Sequence, residues 1–313
     1  MRVLLFTHEQ DIDGIGCAVL ANHAFTNLEI VPCKTFEITK KVKEYIDNKK
    51  INSFDKVFVT DLCIKEPLLT TINQNNDLKE KVQVIDHHKS EIDEGNNQYN
   101  FVSIIVEENG KKESGTSLFY KYLLKNKFLK QEEYLDTLVE WTRQYDVWDW
   151  KLLNNVQARY LHILFEELGY EEYLRIANSF IKKKEIVFDK QHLDIIRQFE
   201  ERLTQEIHSI LSNMKIVEVP IQNKNYRIGY VICNYKYRND INEFVIQDNK
   251  YNIDTVGMIM KDMDSVSYRN VKDIDASIIA SYFGGKGHKN AASNPKSNEK
   301  FRDLMKQNNI IIP

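Results

Sequence analysis

The sequence predicts an α/β protein: a parallel-sheet N-terminal domain with a helical insertion, a long linker helix and a smaller α+β C-terminal domain. Three observations carry this reading. Across residues 1–90 short β-rich runs alternate with helical patterns, the signature of βαβ units. From Ser114 to Phe180 the pattern turns mainly helical, and beyond Lys215 the β-rich runs return. A length of 313 residues suits two domains of roughly 150 residues each.

Taken in order, RVLLFT (Arg2–Thr7), KVFVT (Lys56–Thr60) and VQVI (Val82–Ile85) read as buried strands. Between and after them Ile15–Phe25, Thr39–Asn48 and Glu66–Asn76 space apolar residues by three and four, as crossover helices do, while Asn73–Asp77 and Glu94–Asn100 read as connections. The segments SGTSLFYKYLLKNKF, QEEYLDTLVEWTRQYDVWDW and EELGYEEYLRIANSF follow as helices. Trp141, Tyr145, Trp148 and Trp150 read there as packing residues, since aromatics at helical spacing usually face a core. Ile186–Met214 has neither Gly nor Pro and reads as one connecting helix. Strands are expected in KIVEVPI, YRIGYVIC, DTVGMIM and SVSYR, then helices around Asp275–Phe283 and Asn298–Asn308. The expected division is therefore 1–185, a connecting helix at 186–214, and 215–313.

Composition narrows the function. With 42% hydrophobic and 28% charged residues the chain is neither disordered nor fibrous. The longest stretch without an acidic or basic residue, Gly14–Leu28, contains Asn and His and falls short of the roughly 18 apolar residues a membrane span needs. The apolar run Val3–Phe6 is followed at once by His8, Glu9 and Asp11, which is no signal-peptide core, so a cytoplasmic location is expected. Cys17, Cys33, Cys63 and Cys233 form no CxxC pair, which argues against a disulfide framework or a structural zinc. Forty-three basic against 46 acidic residues cannot attract a long polyanion, so any nucleic-acid ligand must be held in a local pocket.

Each N-terminal strand runs into residues that can bind metal. RVLLFT leads to His8, Asp11 and Asp13; KVFVT leads to Asp61; VQVI leads to Asp86, His87 and His88. In open α/β sheets the ligand crevice lies beyond the carboxyl ends of the strands, so residues far apart in sequence converge there. An Asp after a strand is often only a cap, and a His only a core residue, but two adjacent imidazoles behind a carboxylate gain little from packing. So many carboxylates would repel and desolvate badly unless cations neutralise them. Two divalent metals meet that need, with Mn²⁺ the best match to mixed carboxylate and imidazole ligands and Co²⁺ or Mg²⁺ behind it.

With these residues in view, the sequence resembles the DHH phosphoesterase superfamily. The resemblance rests on HEQDIDG at His8–Gly14, Asp61, the triplet Asp86-His87-His88, Asp146 within QYDVWDW, and GGKGHKNAAS at Gly284–Ser293, and so covers nearly the whole chain. GGKGHKNAAS is similar to the glycine and histidine signature of the DHH-associated C-terminal domain. HEQDIDGIGCA and YDVWDW look most like the short-oligoribonucleotide hydrolases, or nanoRNases.

The resemblance implies that His8, Asp11 and Asp61 bind one metal and that Asp13, Asp61, His87 and Asp146 bind the other, with Asp61 bridging. It implies further that Asp86 orients a ligand and His88 contacts the scissile phosphate. Arg269 and the segment Gly284, Gly285, Lys286, Gly287 and His288, with Lys289 beside it, would bind substrate, and an AAS helix start is expected after it. The chain departs from many relatives in one respect, since only Glu9 and Gln10 separate His8 from Asp11 where three residues are usual. Asp149, close to Asp146, is an alternative acid. The function implied is hydrolysis of short oligonucleotides to mononucleotides, with long nucleic acid not expected as a partner. A phosphatase acting on 3′-phosphoadenosine 5′-phosphate, a cyclic-dinucleotide phosphodiesterase and a non-catalytic nucleotide- or RNA-binding module are the alternatives. Inorganic pyrophosphatase fits less well, and assembly of identical copies stays open.

Overall fold

In the computed structural model, which describes residues 1–248 and 250–313, the chain divides into two units, Met1–Phe199 and Glu200–Pro313. The first is built on a five-stranded parallel sheet of β1 (Val3–His8), β2 (Leu28–Cys33), β3 (Lys56–Thr60), β4 (Val82–Asp86) and β5 (Val102–Ile104), in the order β2-β1-β3-β4-β5. Alternate residues of β1 serve opposite faces: Val3 and Leu5 join one apolar layer, Leu4 and Phe6 the other. Helices α1 (Ile12–Ala24), α2 (Ile38–Asp47), α3 (Leu68–Gln74) and α4 (Asn76–Lys81) cover the sheet, α1 on the first face and the other three on the second. After the short α5 (Lys89–Asp93) and the hairpin β6 (Glu107–Glu108)–β7 (Lys111–Lys112), helices α6 (Gly115–Lys125), α7 (Glu133–Asp146), α8 (Asp149–Leu152) and α9 (Val156–Lys183) complete the first layer. A mixed α/β fold with a parallel sheet and a following helical region is thus what the alternation of patterns indicated.

Several boundaries differ from the sequence reading, each for a local reason. Helix α1 begins three residues earlier than Ile15 because Asp11 caps it, its side chain accepting from the Gly14 N–H at 3.0 Å. Asn75 ends one helix and caps the next, accepting from Leu78 N–H at 3.1 Å, so the expected Asn73–Asp77 loop is a helix-to-helix junction. Strand β2 was not anticipated: Pro32 and Glu29 mask its pattern, and as an edge strand it is only half-buried. The expected helix through QYDVWDW ends at Asp146, because Trp148 takes a left-handed backbone with φ 66°. That conformation costs a non-glycine residue roughly 1–2 kcal/mol. Tyr145 and Trp141 pack against the core and Trp150 is buried, whereas Trp148 is 45% exposed. Gly169, at φ 74°, interrupts α9.

Helix α10 (Lys190–Ser212) starts four residues after Ile186. Asp189 accepts from His192 N–H at 3.0 Å, while Ile186 and Phe188 turn into the first unit's core. The second unit carries a six-stranded mixed sheet of β8 (Lys215–Ile221), β9 (Lys224–Cys233), β10 (Thr255–Met260), β11 (Val266–Asn270), β12 (Lys286–His288) and β13 (Ala291–Asn294), in the order β12-β13-β11-β10-β9-β8. Only β9 and β10 are parallel. Helices α11 (Arg238–Asp248), α12 (Ala276–Tyr282) and α13 (Glu299–Gln307) complete it, with Tyr230, Tyr268, Phe283 and Phe301 at its core. The AAS segment is strand β13, not a helix start. Gly287 explains why: a β-carbon there would lie 2.3 Å from Ala292 Cα, so glycine facing alanine lets the two strands close. GGKGH thus follows the carboxyl end of α12 and leads into strands, so no helix N-terminus backs it.

Gly16 tests the packing of α1 on α6. A β-carbon at this position would lie 2.3 Å from Thr116 Oγ1 and 2.9 Å from its Cγ2. Thr116 cannot simply rotate away, because its hydroxyl donates to the Asp13 carbonyl at 2.5 Å. Alanine gains about 1 kcal/mol of helix propensity, against about 2–3 kcal/mol, the upper part of the overpacking range, for a clash this deep. Gly16→Ala should lower the melting temperature by about 2–8 °C; a calorimetric scan showing no decrease would place the two helices further apart than described.

Candidate active site

The carboxyl ends of β1, β3 and β4 bring His8, Asp61 and Asp86-His87-His88 to one edge of the sheet. Helix α1 adds Asp11 and Asp13, and the last residue of α7 adds Asp146. Gly14 permits the approach of α1, since a β-carbon would lie 2.2 Å from the His8 carbonyl oxygen. Below the site Thr7 donates to the Gly14 carbonyl at 2.6 Å and Thr60 donates to Thr7 at 3.0 Å, tying two strand ends to the helix.

Three groups of ligand atoms lie within 4.8 Å of one another: His8, Asp11 and Asp61; Asp13, His87 and Asp146; and Asp61, Asp86, His87 and His88. Asp61 links the first to the third. His8 Nδ1 stands 2.8 Å from Asp11 Oδ2 and 3.5 Å from Asp61 Oδ2. On the other side His87 Nε2 stands 3.3 Å from Asp61 Oδ1, 3.7 Å from Asp13 Oδ2 and 3.6 Å from Asp146 Oδ2. Asp149 is turned away to Arg143, whose Nη1 donates to it at 2.7 Å, so Asp146 is the acid of that segment that faces the cluster. The short spacing between His8 and Asp11 is absorbed by the cap, which brings Asp11 back toward the histidine.

The charges are handled unequally. Asp13 is fully buried, and the start of α6 holds its carboxylate: Gly115 N–H donates at 2.6 Å and Thr116 N–H at 3.0 Å, where the helix end carries partial positive charge. Ser114 caps that helix in a reciprocal pair with Ser117. Asp86 Oδ1 accepts from His87 N–H and from His88 Nδ1, each at 2.8 Å. Burial works against the Asp86 charge, but the His88 hydrogen bond and the two imidazoles hold the carboxyl below its ordinary range. That same bond pushes His88 up to about 9. Burial opposes the charge on His8 too, yet the carboxylates of Asp11 and Asp61 push it up to about 10.

Asp61 is supported less: no amide holds it, and only the nearby His8 and His88 favour its charge. Burial first, then the charges of Asp13 and Asp11, drive it well above the carboxylate range, and burial and Asp13 do the same to Asp146. Both oxygens of Asp61, Asp86 Oδ2 and His87 Nε2 are buried without a hydrogen-bond partner, and His8 Nδ1 has only carboxylates beside it. Each unpartnered atom costs about 1–3 kcal/mol, so four converging on one place mark a set of donors arranged for something the chain does not itself supply. Hard oxygens and imidazole nitrogens without sulfur fit divalent cations of the Mn²⁺ or Mg²⁺ kind. Cys17 is the nearby thiol; burial, then Asp13 and Asp61, keep it protonated, with its sulfur 3.8 Å from Thr116 Oγ1.

The remaining expected residues lie in the second unit. Arg269 on β11 pairs with Ala291 on β13, which pairs with His288 on β12, so the three share one face of the sheet. Lys286 lies on that face two residues along, opposite Ser293. Arg269 is half-buried, donating from Nη1 to the Tyr268 carbonyl at 3.0 Å; Lys286, Gly287 and His288 are exposed, and Gly284 turns the chain at φ 74°. Gly285 allows a close crossing, as a β-carbon would lie 2.0 Å from the Ser293 carbonyl oxygen. Sequence reasoning missed Ser114, Gly115 and Thr116. Their signal was an S-G-T-S helix start, a capping pattern with glycine in the first turn, but nothing in it names Asp13 as the partner.

Residues 2–140 match the DHH family, N-terminal domain. Oligoribonuclease NrnB of Bacillus subtilis (strain 168) is 30% identical over 296 residues, covering 92% of this chain and 71% of that protein. Among solved structures, exonuclease RecJ bound to manganese has a TM-score of 0.57 at 11% identity, covering 98% of this chain and 88% of that one, a likeness of fold alone. No helix among the described residues is long and apolar enough to cross a membrane. Similarity that runs through both units to a relative aligned over more than two thirds of its length leads to one conclusion: the chain belongs to the DHH family and is a phosphoester hydrolase.

Proposed function

We propose that the protein hydrolyses short oligonucleotides to mononucleotides with two divalent metal ions, of which Mn²⁺ fits best. The observation that carries the substrate is the 30% identity to an oligoribonuclease over 92% of the chain. The chemistry rests on the unpartnered buried atoms around Asp61. On this reading residues 1–185 form the catalytic domain, 186–214 connect, and 215–313 form the substrate-binding domain. His8, Asp11 and Asp61 would hold one ion, and Asp13, Asp61, His87 and Asp146 the other. Bound there, the pair would polarise a phosphoryl oxygen and make a water nucleophilic at neutral pH.

The chain's own groups supply the rest. Asp61 offers one oxygen toward His8 and the other toward His87, the disposition a bridging carboxylate needs. Asp86 fixes His88 through Nδ1, which leaves Nε2 for a phosphate oxygen, and the Asp86 hydrogen bond favours the charged ring. Arg269, Lys286 and His288, aligned on one sheet face, would hold a further phosphate, with Gly284, Gly285 and Gly287 keeping the backbone low enough to be approached.

A panel of dinucleotides, longer oligomers, 3′-phosphoadenosine 5′-phosphate, cyclic dinucleotides and pyrophosphate, assayed with Mn²⁺, tests the reading; faster turnover of any of the last three than of dinucleotides overturns it. Asp61→Ala should reduce activity about 1000-fold or more. In the same variant the rise in melting temperature that Mn²⁺ gives the parent should disappear, and retention of that rise would refute the bridging role.

His87 and His88 should separate under elemental analysis. His87→Ala should lose bound metal, whereas His88→Ala should keep it and lose about 100- to 1000-fold in kcat. Equal metal loss in both would contradict the division. In a length series from dimer to 24-mer, the shortest substrates should be cleaved fastest. Arg269→Ala should cost roughly 10- to 100-fold in kcat/KM on a trinucleotide, the worth of a charged hydrogen bond; an unchanged value would remove Arg269 from the substrate site.

A further inference from the structure

Trp148 sits where a helix normally ends on glycine or asparagine. Its N–H donates to the Tyr145 carbonyl at 3.2 Å, closing α7, and its φ of 66° is a conformation that bulky residues rarely adopt. Burial does not explain the choice, since the side chain is 45% exposed. The ring instead ends a stack. It lies 6.3 Å from the Tyr145 ring at 29°, and Tyr145 lies in turn 4.2 Å from the His162 ring and 6.1 Å from the Trp150 ring, both at 18°. The inner rings are packed in the first unit, and Trp148 presents the outer one to solvent.

Two features say what would extend that stack. Trp148 is two residues from Asp146, whose carboxylate stands 3.6 Å from His87 in the candidate metal cluster. Lys151 Nζ lies over the Trp148 ring, 5.1 Å from its centroid, and 5.3 Å from that of Trp150, so a cation already accompanies the aromatic surface. An aromatic ring with a cation close by, next to the candidate metal cluster, matches the chemistry of a nucleotide: the base for the ring, the phosphate for the cation. We propose that Trp148 is the platform on which a base of the substrate stacks, beside the phosphate being cleaved. The inference rests on the oligonucleotide reading above and makes a base, not only phosphates, part of what is recognised.

Trp148→Gly is the informative substitution, because glycine suits the left-handed backbone, and the strain it relieves offsets part of the packing it removes, so the fold should be kept. On a diadenylate substrate with Mn²⁺, KM should rise about 10- to 100-fold, the range that stacking one base on an aromatic side chain supplies. Trp148→Phe should restore KM to within threefold of the parent. An analogue lacking one base should be bound equally by parent and glycine variant. In metal-free buffer, adenosine monophosphate should quench tryptophan fluorescence of the parent and not of Trp148→Gly, whereas ribose 5-phosphate should quench neither. An unchanged KM in the glycine variant, or an equal rise with the base-free analogue, overturns the stacking role and leaves the enzyme reading intact. Conversely, base-dependent quenching by a parent that cleaves no oligonucleotide would sustain the platform while the oligonucleotide reading falls.

Discussion

Asp61 is the constraint around which the first unit is arranged. A carboxylate almost entirely removed from water, with neither oxygen hydrogen-bonded, is a state a folded chain avoids unless something else is expected to fill it. Its neighbours are treated differently. Asp13 is held by two backbone amides at the start of α6, and Asp86 by a backbone amide and an imidazole. What the protein withholds from Asp61 it spends on those two, so the deficit is concentrated at the one residue between His8 and His87. Even the backbone there is held in a left-handed turn, φ 57°, with its N–H donating to the Ile85 carbonyl of the adjacent strand at 3.0 Å.

Much of the fold was legible because the central strands are buried on both faces and so appear as unbroken apolar runs. RVLLFT, KVFVT and VQVI could hardly be anything else. Legibility failed at the edges. LEIVPC lies at the sheet's border, where one proline and one glutamate are tolerated, and β5 is three residues long. In the second unit α11 carries apolar residues too scattered to form a clear stripe, and the β12–β13 hairpin is specified by contact between Gly287 and Ala292, a long-range fact with no local periodicity.

The candidate site divides in the same way. Residues at strand ends, His8, Asp61, Asp86, His87 and His88, were readable because topology alone brings the ends of parallel strands together. Asp146 and Asp149, at the end of α7 and the start of α8, lie too close together for spacing to separate them; the difference is that Arg143 engages Asp149. Gly115 and Thr116 were invisible because they act through backbone amides, and any residue type short of proline has one. Trp148 was read as packing because its type and spacing suit a core, and only its backbone conformation and exposure separate it from Trp150.

The position of β12 has a consequence for solubility. It is the last strand of its sheet, so one row of its backbone amides and carbonyls has no strand beside it. Such a border is a template on which a second chain can add a strand and begin a fibre. Here the border is three residues long and fully exposed, reads Lys-Gly-His, and offers a charge and a glycine where a growing β-stack would need length and apolar side chains. The composition suited to approach by a phosphate is thus also one that resists aggregation. Apolar replacements in this segment would threaten the dispersed state of the protein.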